Sequence, residues 1–216
     1  SALRAMAGLS QLVLADAGPR LDGDTRAYLC RIVDAARRMD DQIQGLLELV
    51  RLSYADFPLE TVDADRLLFP LIALKDAMIR AKGARVDVES PLPKVIANPV
   101  LLGLVLDHMV SNALEFVPPG VAPRIRIRAE STGSKGRIFV KDNGVGISPE
   151  YHHRIFGVFH RLNLAEEHPG VGVGLALVRR ATERMGGSVG LTSQPDCGSE
   201  FWIELALGGF AASPGI

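Results

Sequence analysis

The chain has 216 residues, 47% of them hydrophobic, with 24 Lys and Arg against 25 Asp and Glu. That length and apolar content allow one large domain or two small ones around a sizeable core. The net charge of −1 gives no electrostatic case for a nucleic-acid or anionic-membrane partner, and charges break every apolar run before the ~20 residues needed to span a bilayer.

No secretory signal pattern opens the sequence. Cys30 and Cys197 fall in segments read below as different domains, so a disulfide framework is not expected and a reducing cytoplasm fits. Residues 1–17 place Leu3, Met6, Leu9, Leu12 and Val13 at helical spacing, and Gly18-Pro19 ends that helix. A second helix starts near Asp24 and runs to Tyr54. Its apolar positions Leu29, Ile32, Val33, Ala36, Met39, Ile43, Leu46, Leu47 and Val50 keep a three-to-four spacing, while Arg37, Arg38, Asp40, Asp41 and Gln44 form a solvated face. A hairpin with so long a stripe cannot bury it alone. It packs against a second copy, as a four-helix bundle, or against the rest of the chain; the second copy is the favoured expectation.

Phe57-Pro58 breaks the helix, and residues 57–63 read as a short edge strand. Asp63 caps a helix from Ala64 to Ala81 that Gly83 ends. Residues 85–89 alternate as a strand, Pro91 and Pro93 mark a loop, and Asn98-Pro99 caps a long helix through Phe116. On that helix Asn112 lies four residues after His108, so both project from one face. Residues 123–130 alternate Arg with Ile, a strand with one face in the core and one in water. A turn over 131–136 leads to strand 137–141 and then to Asp142-Asn143-Gly144-Val145-Gly146-Ile147. This delivers a carboxylate at a strand end, followed by glycines that admit a ligand close to the backbone. Ser148-Pro149-Glu150 starts a short helix. Downstream, Gly170-Val171-Gly172-Val173-Gly174-Leu175 opens an apolar helix to Met185, whose first N–H groups favour phosphate. Residues 188–193 and 200–205 are closing antiparallel strands, and Gly208-Gly209 opens a loose tail.

Each glycine pattern alone is weak. Together, DxGxG at 142–146 and GxGxG at 170–174 resemble the ATP-binding domain of sensor histidine kinases, in the wider family of gyrase, Hsp90 and MutL ATPases. The segment His108 to Phe116 is similar to that family's N box, Arg154 to Leu162 to its F box, Asn163 to Pro169 to a short lid, and Gly198-Ser199-Glu200-Phe201 to its last glycine box. The hairpin looks like the dimerisation and phosphotransfer domain, most similar to the phytochrome-type subgroup. The resemblance implies an α+β fold: a two-helix hairpin forming a dimeric four-helix bundle over 1–56, then a Bergerat-type α/β sandwich over 57–210, with a mixed sheet and helices on one face.

It also implies roles. ATP and Mg²⁺ are the cofactors, with Asn112 holding the metal and Asp142 accepting a hydrogen bond from adenine. Gly144, Gly146 and Ile147 lie against base and sugar, and Ser199 stands near adenine. Gly170, Gly172, Gly174 and Leu175 wrap the phosphates, and Arg161 either reaches them or lies on the surface. Phe156 and Phe159 either clamp the base of the lid or belong to the core, and His168 faces water. His108 is a phosphate contact or proton shuttle, or else a half-buried hydrogen-bonded histidine. The implied partners are a second copy and a response-regulator receiver domain. Three positions depart from the pattern: His108 for Asn, Glu115 for Lys, and Val171 for Thr or Ser. The first 107 residues hold no histidine; alignment with the phytochrome-type pattern puts the phospho-acceptor about five residues before Ala2. A non-catalytic dimeric signalling module is the alternative.

Overall fold

The computed structural model describes residues 2–158 and 172–209. Helix α1 (Ala2–Ala17) and helix α2 (Gly23–Tyr54) form the hairpin, joined through a 3-10 turn at Gly18–Arg20. Asp22 caps α2: its carboxylate accepts from the Thr25 amide at 2.8 Å and from the Thr25 hydroxyl at 2.7 Å, satisfying a donor that a helix start otherwise leaves open. Ala7 and Ser10 of α1 and Val33 and Ala36 of α2 are buried where the helices meet. Arg4 Nε donates to Asp40 at 2.9 Å on the rim. A separate apolar stripe, Met6, Leu9 and Val13 on α1 with Ile32, Met39, Ile43, Leu46 and Val50 on α2, remains 40–65% exposed.

The remaining elements are β1 (Glu60–Asp63), α3 (Ala64–Leu74), α4 (Asp76–Ala81), β2 (Arg85–Val88), β3 (Lys94–Ala97), α5 (Pro99–Glu115), β4 (Arg124–Thr132), β5 (Lys135–Lys141), α6 (Gly174–Arg184), β6 (Ser188–Ser193) and β7 (Ser199–Ala206). Among the described residues the main sheet has five strands in the order β2-β4-β5-β7-β6. Only β2 and β4 run parallel, which makes the sheet mixed. Helices α5 and α6 pack on one face and on each other. Alternation sends Ile125, Ile127, Ile138, Val140, Phe201, Ile203 and Leu205 into that face. Helix α5 is central: Asn98 caps it by accepting from Val100 and Leu101, and eight of its side chains are buried.

Three expectations are corrected. The helix over 64–81 breaks at Lys75, whose ammonium is pulled onto α5, 2.7 Å from Asp107 and 2.8 Å from Ser111. Residues 94–97 are a strand, not a loop: β3 pairs antiparallel with β1 in a separate two-stranded sheet, so residues 60–63 do not edge the main sheet. The chain is still held at Gly208, which donates to the Lys94 carbonyl at 2.8 Å, while Leu207 bridges Val95.

The hairpin is not detached from the sandwich. Gly45 of α2 faces Val173, Leu52 is buried in the main core, and Leu49 packs against it. Further along, Arg180 Nη2 donates to Ser53 Oγ at 3.5 Å and Arg184 Nη2 to the Ala55 carbonyl at 2.6 Å. The pairs 45/173, 53/180 and 55/184 rise together, so α2 and α6 lie side by side in the same direction. On the sheet's second face, where the described residues place no helix, the Arg128 guanidinium sits 3.8 Å above Phe139 and that of Arg137 4.1 Å above Trp202. No helix among the described residues is long and apolar enough to cross a membrane.

Candidate functional site

The helix-facing side of the sheet is apolar row by row until its end. Ile138, Ile203 and Val189 stand abreast on β5, β7 and β6, and Val140, Phe201 and Leu191 follow. One step further the row becomes Asp142, Ser199 and Ser193. Asp142 N donates to the Ser199 carbonyl at 2.8 Å, extending the β5–β7 ladder, and Ser193 pairs with Ser199. All three side chains are buried. Because residues directly opposite on paired strands share a face, the fold sets three polar groups side by side against an apolar wall.

Asp142 Oδ1 accepts from the Gly144 amide at 2.8 Å and the Ser199 amide at 3.0 Å. Burial nevertheless pushes the carboxyl up to about 6, against the pull of those two N–H groups. Oδ2 has no partner among the described residues. Arg184 Nε is the one buried side-chain nitrogen or oxygen left unpartnered there, and Oδ2 is not among the buried unpartnered atoms. The turn after Asp142 is compressed: a Cβ on Gly144 would strike the Phe116 carbonyl, one on Gly146 the Gln194 carbonyl, and one on Gly198 the carbonyl of Asp142 itself. Gly146 and Gly198 also have φ of +68° and +77°, which side-chain-bearing residues rarely adopt. Val145 N donates to the Phe116 carbonyl at 3.0 Å and Ile147 N to Ser193 Oγ at 2.8 Å. The loop is thereby pinned to the end of α5 on one side and to β6 on the other.

Helix α5 ties this loop to α6. His108 is half-buried with Nδ1 3.2 Å from where a Gly174 Cβ would stand. Burial lowers its pKa; Asp107 and Glu48 oppose that shift and Lys75 adds to it, so the imidazole is neutral near pH 7. Asn112 lies one turn beyond His108 and one turn before Phe116, between the two anchors. It is half-buried, and its side chain makes no hydrogen bond among the described residues. Gly172 has φ +69°, and Leu175 packs against the core. Glu115 is half-buried and has a partner. Phe156 meets Phe201 edge-on, with centroids 6.4 Å apart. Arg161, Gly170, Phe159, Val171 and the lid with His168 lie outside the described residues.

The structure thus brings Asp142, Gly144, Gly146, Ile147 and Ser199 into one contact set, and joins it through α5 to His108, Asn112 and Gly174. The pattern reading missed Ser193 and the Phe116 carbonyl. Ser193 was discoverable only by continuing the alternation Val189, Leu191 one step and knowing the strand register. Among the described residues no three His, Cys, Asp or Glu side chains gather to hold a metal. A lone amide oxygen such as that of Asn112 suits a hard cation held mainly by phosphate oxygens.

Residues 97–209 match the family described as histidine kinase-, DNA gyrase B-, and HSP90-like ATPase. The chain belongs to that family. It is similar to the sensor-like histidine kinase SenX3 of Mycobacterium tuberculosis, 31% identical over 207 residues, covering 93% of this chain and 49% of that protein. It is also similar to the phytochrome-like protein Cph1 of Synechocystis sp., 28% identical over 188 residues, covering 87% of this chain and 25% of that one. The solved structure of full-length ShkA in complex with AMPPNP superposes over 95% of this chain and 43% of its own, with a TM-score of 0.68 at 28% identity. The chain therefore spans between a quarter and a half of these proteins.

Proposed function

We propose that this chain is the dimerisation and ATP-binding core of a two-component sensor histidine kinase, working in the cytoplasm. The observation that carries the reading is Asp142: one oxygen is fixed by two backbone amides, the other is open, and the glycine loop beside it has no room for side chains. Asp142 and Ser199 hold the adenine, with Gly144, Gly146 and Ile147 against base and sugar. Gly172, Gly174 and Leu175 form the phosphate end at the start of α6, and Gly170 and Arg161 are assigned to the phosphates by the family pattern alone. His108, neutral and set against Gly174, donates a hydrogen bond there without adding charge. Asn112 supplies an oxygen to Mg²⁺. When bound, ATP supplies the phosphoryl group that kinases of this type place on a histidine and pass to a receiver-domain aspartate of a response regulator. The protein's part is positioning and charge neutralisation. In this reading the acceptor lies outside residues 1–107, which hold no histidine.

The sectors of α2 support a dimer. Val33 and Ala36 face α1, and Gly45, Leu49 and Leu52 face the sandwich. Ile32, Met39, Ile43, Leu46 and Val50 fall on one further strip, exposed together with Met6, Leu9 and Val13. A second copy of the hairpin covers it.

A second reading, a dimeric module that binds ATP without transferring phosphate, is favoured by Glu115 standing where the family carries lysine. Mg²⁺-dependent ATP titration tests the first reading: saturable binding is expected, weakened at least about tenfold by Asp142→Asn. Equal binding by the variant, or none by either, removes it. Binding without transfer of labelled γ-phosphate to a histidine-bearing hairpin supplied in trans selects the second.

A further inference from the structure

The polar row at the sheet's end holds one hydroxyl more than the reading above uses. Ser193 Oγ is buried and has three partners: it accepts from Ile147 N at 2.8 Å, lies 2.8 Å from the Gly198 carbonyl, and lies 2.9 Å from Ser199 Oγ. A serine hydroxyl has one hydrogen and two lone pairs. A carbonyl oxygen only accepts, so the Ser193 hydrogen goes to Gly198. The Ser199 hydrogen then goes to Ser193 Oγ; otherwise two lone pairs would face each other at 2.9 Å. Ser193 is thereby saturated, with one bond donated and two accepted. Ser199 keeps unused lone pairs and no unused proton.

We propose that Ser193 is a positioning residue that sets base specificity: by drawing in the Ser199 proton, it leaves the described side chains at the base end of the site, Asp142 and Ser199, with acceptors only. Those acceptors are Asp142 Oδ2 and the remaining lone pairs of Ser199 Oγ, neighbours on one face of the sheet. A purine edge with an exocyclic amino group donates into them. An edge with an exocyclic oxygen at that position meets lone pairs and finds no proton. Asp142 attracts the amino group; Ser193 supplies the rejection, because it keeps Ser199 from turning its proton outward. The inference rests on the reading that this site takes ATP, and it assigns to Ser193 a share in the preference for a 6-aminopurine over a 6-oxopurine.

Dissociation constants for ATP and inosine triphosphate, measured well above the Asp142 pKa with Mg²⁺, test it. Wild type is expected to prefer ATP. Ser193→Ala releases the Ser199 proton and should narrow that preference about tenfold, chiefly by tighter binding of inosine triphosphate. Ser193→Cys keeps the volume, should the alanine variant fail to fold, and is expected to shift the preference in the same direction. Adding Ser199→Ala to either variant removes the released proton and should abolish the gain in inosine triphosphate binding, a reversal that a merely structural role for Ser193 does not produce. An unchanged preference in Ser193→Ala and Ser193→Cys, or equal losses for both nucleotides, overturns the inference while leaving the nucleotide site standing. A wild type that binds neither nucleotide overturns both.

Discussion

Asp142 sits where an ionised carboxylate is disfavoured, and the ligand proposed for it needs that ionised form. Burial raises its pKa from 3.8 to about 6. A raised carboxyl pKa means the neutral form suits the folded protein: the stabilisation is complete below the unfolded value and is lost as pH rises through about 6. The shift corresponds to about 3 kcal/mol at most between the two ends of that window. Asp142→Asn should therefore melt higher than wild type near neutral pH without nucleotide, with the gap closing on acidification toward the ordinary carboxylate pKa. The binding effect has the opposite sign. An amino donor needs the carboxylate, so wild-type ATP affinity should fall as pH drops through about 6, while the weaker affinity of Asp142→Asn lacks that component. Titrations of both proteins across this range check it; parallel curves would show that the carboxylate does not meet the base.

At the scale of elements, the junction between α2 and α6 turns on the size of one residue. Replacing glycine by alanine inside a helix ordinarily gains about 1 kcal/mol. Gly103 in α5 has nothing within 4 Å of a new Cβ, so Gly103→Ala should stabilise by that amount. At Gly45 the same Cβ would stand 2.8 Å from Val173 Cγ1. Val173 is β-branched and only 1% exposed, so it has nowhere to turn. Gly45→Ala should lose the propensity gain to overpacking, and Gly45→Leu should cost about 1–3 kcal/mol and raise amide exchange over residues 173–178. Melting curves and hydrogen exchange decide; a stabilised Gly45→Ala would show that α2 does not rest on Val173 in solution. The elements also show how far patterns reach. Long periodic segments such as α2 and α5 announce themselves, and so do strands that end in glycine turns. Strand β3 did not, because four residues between Pro93 and Asn98 carry too little alternation to stand out. The break at Lys75 has no glycine or proline at it; its cause is an ammonium reaching across to α5, which is tertiary. In the site, Asp142, Gly144 and Gly146 were legible because their chemistry is local. Ser193 was not, since its role exists only through the register that sets it beside Ser199.

For the whole molecule, the exposed strip on the hairpin sets the expected assembly. Ile43→Glu with Val50→Glu places two charges on it without touching Gly45, Leu49 or Leu52. Sedimentation should then shift from two copies to one, with ATP affinity within about twofold of wild type. A dimer that survives both changes, or a wild type that is already monomeric, would falsify the arrangement. The main sheet presents the reverse problem, because its second face carries large rings with no helix layer over them among the described residues. Phe139 is 5% exposed because guanidinium groups lie across it, and those groups are tethered in turn, Arg128 to Glu130 and Glu200, Arg137 to Glu204. Charged roofs keep their heads in water while their planes cover the rings, so a one-sided sheet ends without needing a third layer. Exchanging both for leucine should leave the melting temperature within a few degrees and yet convert a wetted plate into an adhesive one. Light scattering that climbs with protein concentration in Arg128→Leu/Arg137→Leu, but not in wild type, would register molecules stacking back to back.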